Sequence, residues 1–256
     1  MNLEQKRPKL FKDFPPFPKE QLREKYTGGD IVIQACADDE QVAFHAIRNL
    51  IRKGRNAVTL RWSQSGFAAI GDRMETPRNL FGFKDGTANV TKEKDFDRVV
   101  WADSKDWMEN GSYMAVRRIQ MFLDTWDRTN LEEQENTFGR YKESGAPFGK
   151  KNEFDEVDLS LLPDDSHVRL AKEVEKPLLR RSYSYSDGID DKTGQFDTGL
   201  LFISFQKDPD HFVKVQTNLG ATDKMNEYVT HIGSGLFACF GGVEKGGYIG
   251  QKLLED

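Results

Sequence analysis

Two cysteines in 256 residues, Cys36 and Cys239, leave little room for thiol chemistry. Neither has a second thiol nearby, so a zinc ribbon and a Cys-x-x-Cys redox pair are both excluded, and their apolar, strand-like surroundings predict two buried, inert thiols. Histidine is almost as scarce, with four residues. Positive charge is short as well, since 37 Lys and Arg stand against 42 Asp and Glu for a net charge of -5. Without a basic surplus to neutralise phosphates, nucleic-acid binding is disfavoured, and a small molecule or a protein is the expected partner. No apolar run approaches the roughly 20 residues that a membrane-spanning helix needs. The opening residues, "MNLEQKRPKLF", lack the apolar core of a secretory signal, so as written the chain is expected to remain in the cytoplasm.

What is present is a chain long enough for one large or two small domains, with 37% hydrophobic residues, 31% charged residues and 18 Phe to build a core. Residues 1–28 hold four of the nine prolines and read as an extended leader, because "FPPFPKEQ" suits neither a helix interior nor a central strand. Apolar spacing then predicts a strand over 30–37, a helix over 38–53 capped by Asp38 with Gln41, and a strand over 57–63. Further on, a long strand is expected over 113–126 and a helix from Thr129, with Glu132 as its capping-box partner. A strand over 199–206, a helix over 209–220 begun by Pro209 and a strand over 234–242 complete the set. The pattern implies an α+β protein of antiparallel sheets with helices on one face. Its first strand–helix–strand unit is half of a ferredoxin-like domain, whereas the second half of the chain holds enough elements for a whole one. The expected organisation is therefore a leader (1–28), a partial first domain (29–95) and a second domain (96–256). The missing strands would have to come from an absent N-terminal portion or from another chain.

Several apparent motifs carry no function. "GSGLFA" has the spacing of a dinucleotide fingerprint, but its strand follows the glycines and no helix opens there. "DGIDDKTGQFD" resembles a calcium loop in composition, yet it lacks alternating ligands and a terminal Glu, and it reads as a hairpin turn. "NVT" and "NGS" are glycosylation sequons only in a secreted eukaryotic protein. Among the histidines, His45 and His211 lie at helix flanks and read as surface or interface residues, while His231, in an apolar run, reads as a satisfied core residue. His167 follows Pro163 and two aspartates in "LLPDDSHVRLA", where a short helix capped by Ser166 or Asp165 would begin. Just beyond it, "PLLRRSYSYSDG" places an Arg pair in an apolar, tyrosine-rich run, where a guanidinium demands an anionic partner. In "NLFGFKDGTANV", Asp85 and Gly86 form a turn dipeptide, and the flanking Leu80, Phe81 and Phe83 suggest a loop packed down on the protein.

These segments carry a resemblance. "NLFGFKDGTAN" resembles the Gly-x-x-Asp-Gly loop of the dye-decolorizing peroxidases, and "SHVRLA", "LLRRSYSYSDG" and "EYVTHIGSGLFACFGG" resemble the heme-binding half of that family in the same order, most closely its bacterial Efe-type deferrochelatase/peroxidase branch. The resemblance runs from about residue 28 to the end and implies a pair of ferredoxin-like domains with heme b in the second. Compared with family members, the opening β-α-β portion and the twin-arginine export signal are lacking.

By the same resemblance, His167 is the axial ligand of the heme iron, Asp85 the distal acid-base residue and Arg180 the distal arginine, with Arg181 as the alternative. Glu227 falls where the family places a carboxylate on the proximal imidazole. Hydrogen peroxide and a bulky organic donor are the implied substrates, and release of iron from heme a further activity. Iron-uptake proteins are implied as partners, and a homo-oligomer is expected. Tyr183, Tyr185, Trp62, Trp101, Trp107 and Trp126 are candidate electron relays, with packing as the alternative for each. A heme-binding or interaction module without catalysis is the competing reading.

Overall fold

The computed structural model describes residues 3–68, 75–191 and 193–255. In chain order the first elements are helix α1 (Glu40–Gly54) and the short α2 (Phe96–Val99). Strand β1 (Ser112–Met121), α3 (Leu123–Asp127), α4 (Leu131–Phe138) and α5 (His167–Glu173) follow. Next come β2 (Leu179–Arg180), β3 (Tyr183–Ile189), β4 (Phe196–Gln206), α6 (Pro209–Thr222), β5 (Val229–Cys239) and α7 (Gln251–Glu255). All five strands form one antiparallel sheet, ordered β2-β4-β1-β5, with β3 also on β4. From β1 to β5 the chain thus runs β-α-β-β-α-β, as expected for the second half, and the α+β class holds.

Register divides the sheet into two chemically different faces, because directly opposed residues point the same way and neighbours along a strand alternate. On the inner face, Arg180 lies opposite Ser204 and Ser204 opposite Ala115. Phe202 lies opposite Arg117 and Arg117 opposite Ser234, while Leu200 faces Ile119 and Ile119 faces His231. A bulge between Arg118 and Ile119 sets that last pairing. Phe202 and Ala115 pack there with Phe212 of α6 and with Phe14 and Phe17 of the leader. The outer face carries Met114, Val116, Ile203 and Phe237, packed against Trp62 and Tyr183. It also buries Arg118, which lies between the rings of Tyr26 and Tyr185 at 4.2 and 4.1 Å. Asp187 and Asp197 of the β3–β4 hairpin neutralise it. The acidic character of that hairpin, suggestive of a calcium loop in sequence, therefore serves a buried guanidinium.

The leader is not detached. Its Gln21, Arg23 and Gly28 amides donate to the carbonyls of His231, Ile232 and Ser234, so it lies along the outer edge of β5. Two expected strands are corrected: 30–37 and 57–63 form no ladder, and the pairings that flank them among the described residues are the isolated bridges of Thr27 with Ser234 and of Phe67 with Ser184. No neighbouring strand among the described residues offers them hydrogen-bond partners. Most of their large apolar residues, among them Ile31, Val58 and Leu60, stay exposed, and Trp62 alone of them packs on the sheet. Helix α1 is capped by Asp39, which accepts from the Val42 amide, one residue later than expected, and none of its residues is buried.

Other boundaries shift for local reasons. β1 stops at Met121, because its partner β5 begins at Val229, and Phe122 then turns the chain into α3. α4 is capped by Asn130, since the Thr129 hydroxyl bonds back to the Thr125 carbonyl instead. It ends where Gly139 adopts φ 82°, a left-handed conformation that glycine accepts without strain. Cys36 is exposed, its Sγ 3.3 Å from the Tyr183 hydroxyl, contrary to the expected buried thiol. Cys239 is half-buried, and burial pushes its thiol up to about 11.

Candidate active site

The Asp85 loop is built on aromatic packing. Phe81 and Phe83 are buried together with Trp126, Phe138, Met225 and Tyr228, and the Phe83 and Phe138 rings stack at 3.9 Å between centroids. The Trp126 indole donates to the Phe81 carbonyl, which gives that tryptophan a structural task. Asn79 accepts from the amides of Phe81 and Phe83 through its side chain, closing a tight turn. From this base the chain rises to Asp85, whose amide donates to Pro77, and turns back at Gly86, where φ is 132°. The turn-former reading of the Asp-Gly pair and a half-buried carboxylate available for chemistry are therefore compatible, because the turn presents the carboxylate.

Asn89 joins this loop to the sheet. Its amide nitrogen donates to the Arg180 carbonyl and its oxygen accepts from the Arg180 amide, each at 2.8 Å. Held this way, Arg180 directs Nη1 to Asp85 Oδ1 at 3.2 Å. The second Asp85 oxygen accepts no hydrogen bond among the described residues. Arg181 is exposed, and its amide is tied to the Ile203 carbonyl, so of the two arginines it is Arg180 that meets the carboxylate.

His167 opens α5 behind its N-cap Ser166. The hydroxyl of Ser166 bonds to the Pro163 carbonyl and makes no capping bond. The imidazole packs edge-on to Phe138, and its Nδ1 lies 2.7 Å from Asp223 Oδ2. Burial alone would push the imidazole pKa down, but the charge and hydrogen bond of Asp223 outweigh it and raise it. The charges of Arg180 and Asp85 also act on this ring, in opposite senses, which puts the three side chains near one another. Nε2 makes no hydrogen bond among the described residues.

Glu227 is corrected here. The carboxylate on His167 is Asp223, which is buried and caps the one-turn helix Lys224–Glu227 through the Met225 amide, whereas Glu227 at the far end of that turn is exposed. The resemblance of the short segment around Glu227 did not single out the carboxylate four residues earlier. The capping pattern, an Asp directly between the end of α6 and a new turn, was the available signal. Sequence reasoning also missed Asn89, which no motif marks, and Arg117. The latter is almost wholly buried on the inner face beside His231. Tyr183 and Tyr185 lie on the outer face, with the sheet between them and His167.

A lone imidazole with one nitrogen anchored to a carboxylate and the other free is a poor chelating set for a bare ion. It is a sufficient protein contribution where a porphyrin supplies the remaining donors, so the residues present fit heme.

The model described as Dyp-type peroxidase, N-terminal, matches residues 1–68, and that described as Dyp-type peroxidase, C-terminal, matches 76–244. Deferrochelatases from Escherichia coli and Shigella flexneri are each 41% identical to the chain, over 96% and 97% of it. The chain spans 63% and 64% of their lengths, slightly under two thirds. Among solved structures, ferric DtpA from Streptomyces lividans superposes with a TM-score of 0.92 at 38% identity, covering 99% of this chain and 74% of that one. A DyP-type peroxidase from Cellulomonas bogoriensis gives 0.93 at 37% identity, with the same coverage. Both family models match in order, and the second takes in Asp85, His167, Arg180 and Asp223 together: the chain belongs to the Dyp-type peroxidase family.

Proposed function

We propose that the chain is a heme-dependent peroxidase of the dye-decolorizing type, reducing hydrogen peroxide and oxidising bulky organic donors. Release of iron from heme, the activity in the name of its deferrochelatase relatives, would be a further use of the same site. The observation that carries this reading is the convergence of His167, tied to Asp223, with the Asp85–Arg180 pair. His167 would hold the iron through Nε2, and Asp223 on Nδ1 makes the imidazole more electron-rich. Bound heme b would supply the redox chemistry and the site at which peroxide binds. Asp85 would accept a proton from hydrogen peroxide through its free carboxylate oxygen and return it to the departing oxygen, and Arg180 would donate hydrogen bonds to the oxygen on which negative charge develops.

The test is reconstitution of the full chain with hemin. His167→Ala is expected to abolish the Soret band. Asp85→Asn should keep it and slow the peroxide-dependent change in absorbance by about 10²–10⁴-fold, the range of general acid-base catalysis. An unaltered rate in Asp85→Asn would return Asp85 to a turn-forming role. A Soret band without peroxidase turnover would instead support a heme-binding module.

A further inference from the structure

His231 lies on the inner face of the sheet, opposite Ile119, close enough to His167 for the two rings to influence each other's charge. The site described so far gives it no task. Its surroundings determine which of its nitrogens carries the proton. Arg117 donates from Nη2 to Glu20, from Nη1 to the Ser234 hydroxyl at 2.7 Å and from Nε to His231 Nδ1 at 3.2 Å. A guanidinium has no acceptor and stays protonated, so the hydrogen in the last bond belongs to Arg117 and Nδ1 must be bare. The neutral ring therefore carries its proton on Nε2. Adding a second proton would set N–H against N–H, and burial together with Arg117 and His167 pushes the imidazole pKa down to about 3.

The result is a neutral donor whose Nε2–H has no acceptor among the described residues, on a side chain that is only half-buried. Glu20 already balances Arg117, and Asp223 is engaged with His167. Asp85 is bound by Arg180. Among the described residues no carboxylate accepts from this Nε2–H. An N–H kept in a site that closes over a ligand is destabilising unless the ligand accepts from it. Heme b carries two carboxylates on its rim, and each needs donors once it leaves water.

We propose that His231, locked by Arg117 in the Nε2–H tautomer, donates a hydrogen bond to a carboxylate of the bound heme. The inference rests on the heme reading above. It also gives His231 a role distinct from ligation, since Nδ1 is occupied and a protonated Nε2 cannot coordinate iron.

The test compares hemin with hemin dimethyl ester, which keeps the iron and the ring but not the anionic carboxylates. Each is titrated into the metal-free full chain and followed at the Soret band. Wild type is expected to prefer the free acid. His231→Leu should reduce that preference about tenfold or more, the scale of one hydrogen bond to a charged group, while keeping the Soret position set by His167. His231→Gln should retain the preference, because its amide can accept from Arg117 and still donate. An equal preference in wild type and His231→Leu, or an equal loss in the Gln and Leu variants, would overturn the proposal.

A second measurement needs no variant. In protein labelled with 15N-histidine, zinc protoporphyrin should bring out a slowly exchanging His231 Nε2–H that its dimethyl ester does not. An Nδ1-protonated ring, or the same spectrum with both porphyrins, would count against the assignment. A wild-type chain that takes up neither hemin would defeat the heme reading itself, whereas binding without carboxylate preference defeats only this inference.

Discussion

At the scale of single residues, the exchange of Glu227 for Asp223 as the partner of His167 makes a sharp prediction. Asp223→Asn preserves the cap on the following turn but removes the negative charge from the imidazole. It is expected to raise the midpoint potential of the reconstituted heme and to lower peroxidase activity about 10- to 100-fold, the usual cost of losing a group that orients a metal ligand. Glu227→Gln should change neither, and spectroelectrochemistry on the two variants decides between them. Glu153 supplies the pH dependence. Burial would raise its carboxyl, but hydrogen bonds from Lys84, Thr76 and Thr87 and the charge of Lys84 hold it below its ordinary 4.5. A depressed carboxylate contributes stability that is complete above its unfolded pKa and disappears as pH falls through the folded one. Glu153→Gln should therefore melt several degrees below wild type at pH 7, for a loss of about 2 kcal/mol. The gap should close as the pH drops below about 4, which thermal melts across pH would show.

Among the elements, the Asn89 bridge between the Asp85 loop and β2 is the part most exposed to test. Asn89→Ala leaves the Arg180 amide and carbonyl unpaired at a cost of about 1–3 kcal/mol and frees the loop to drift from the sheet. Since a shift of about 1 Å in a reacting group can cost 10²-fold, the expected outcome is a peroxide reaction slower by about 10- to 100-fold. Hemin affinity should be unchanged, because His167 and Asp223 belong to other elements; stopped-flow rates and Soret titration read the two separately. The strands β1, β4 and β5 and the helix α1 were legible in the sequence through their apolar patterns, and α4 and α6 through start signals at Thr129 with Glu132 and at Pro209, the first of which lies one residue before the observed cap. The segments 30–37 and 57–63 have the same strand pattern but no neighbour to pair with. Pattern records what a segment can bury and says nothing about whether a partner is there. His167, Asp85 and Arg180 were legible only through resemblance. Asp223 and Asn89 were not, since both act through positions that register and turns create.

For the molecule as a whole, the contrast lies between a sheet packed on both faces and a region, residues 29–68, most of whose large apolar groups, Trp62 excepted, face water. Native-state hydrogen exchange should find the described amides of 31–37 and 59–63 exchanging near the unprotected rate, while those of β1 and β4 exchange only with global unfolding. Comparable protection in both regions would mean that the exposed segments have found a partner, such as a second copy of the chain. The leader along β5 poses a different problem, one of timing. Lys19 and Thr230, hydrogen-bonded to each other, stand 211 residues apart in the chain. At typical synthesis rates of about 5–20 residues per second, the leader leaves the ribosome roughly 10–40 s before the strand it must cover exists. Its prolines and alternating charges suit that wait, because such a segment neither folds prematurely nor offers an edge for other chains to join. A strand made late is thus closed by residues made 211 positions earlier, and neither His231 nor Arg117 acquires its full set of partners until β5 has been synthesised.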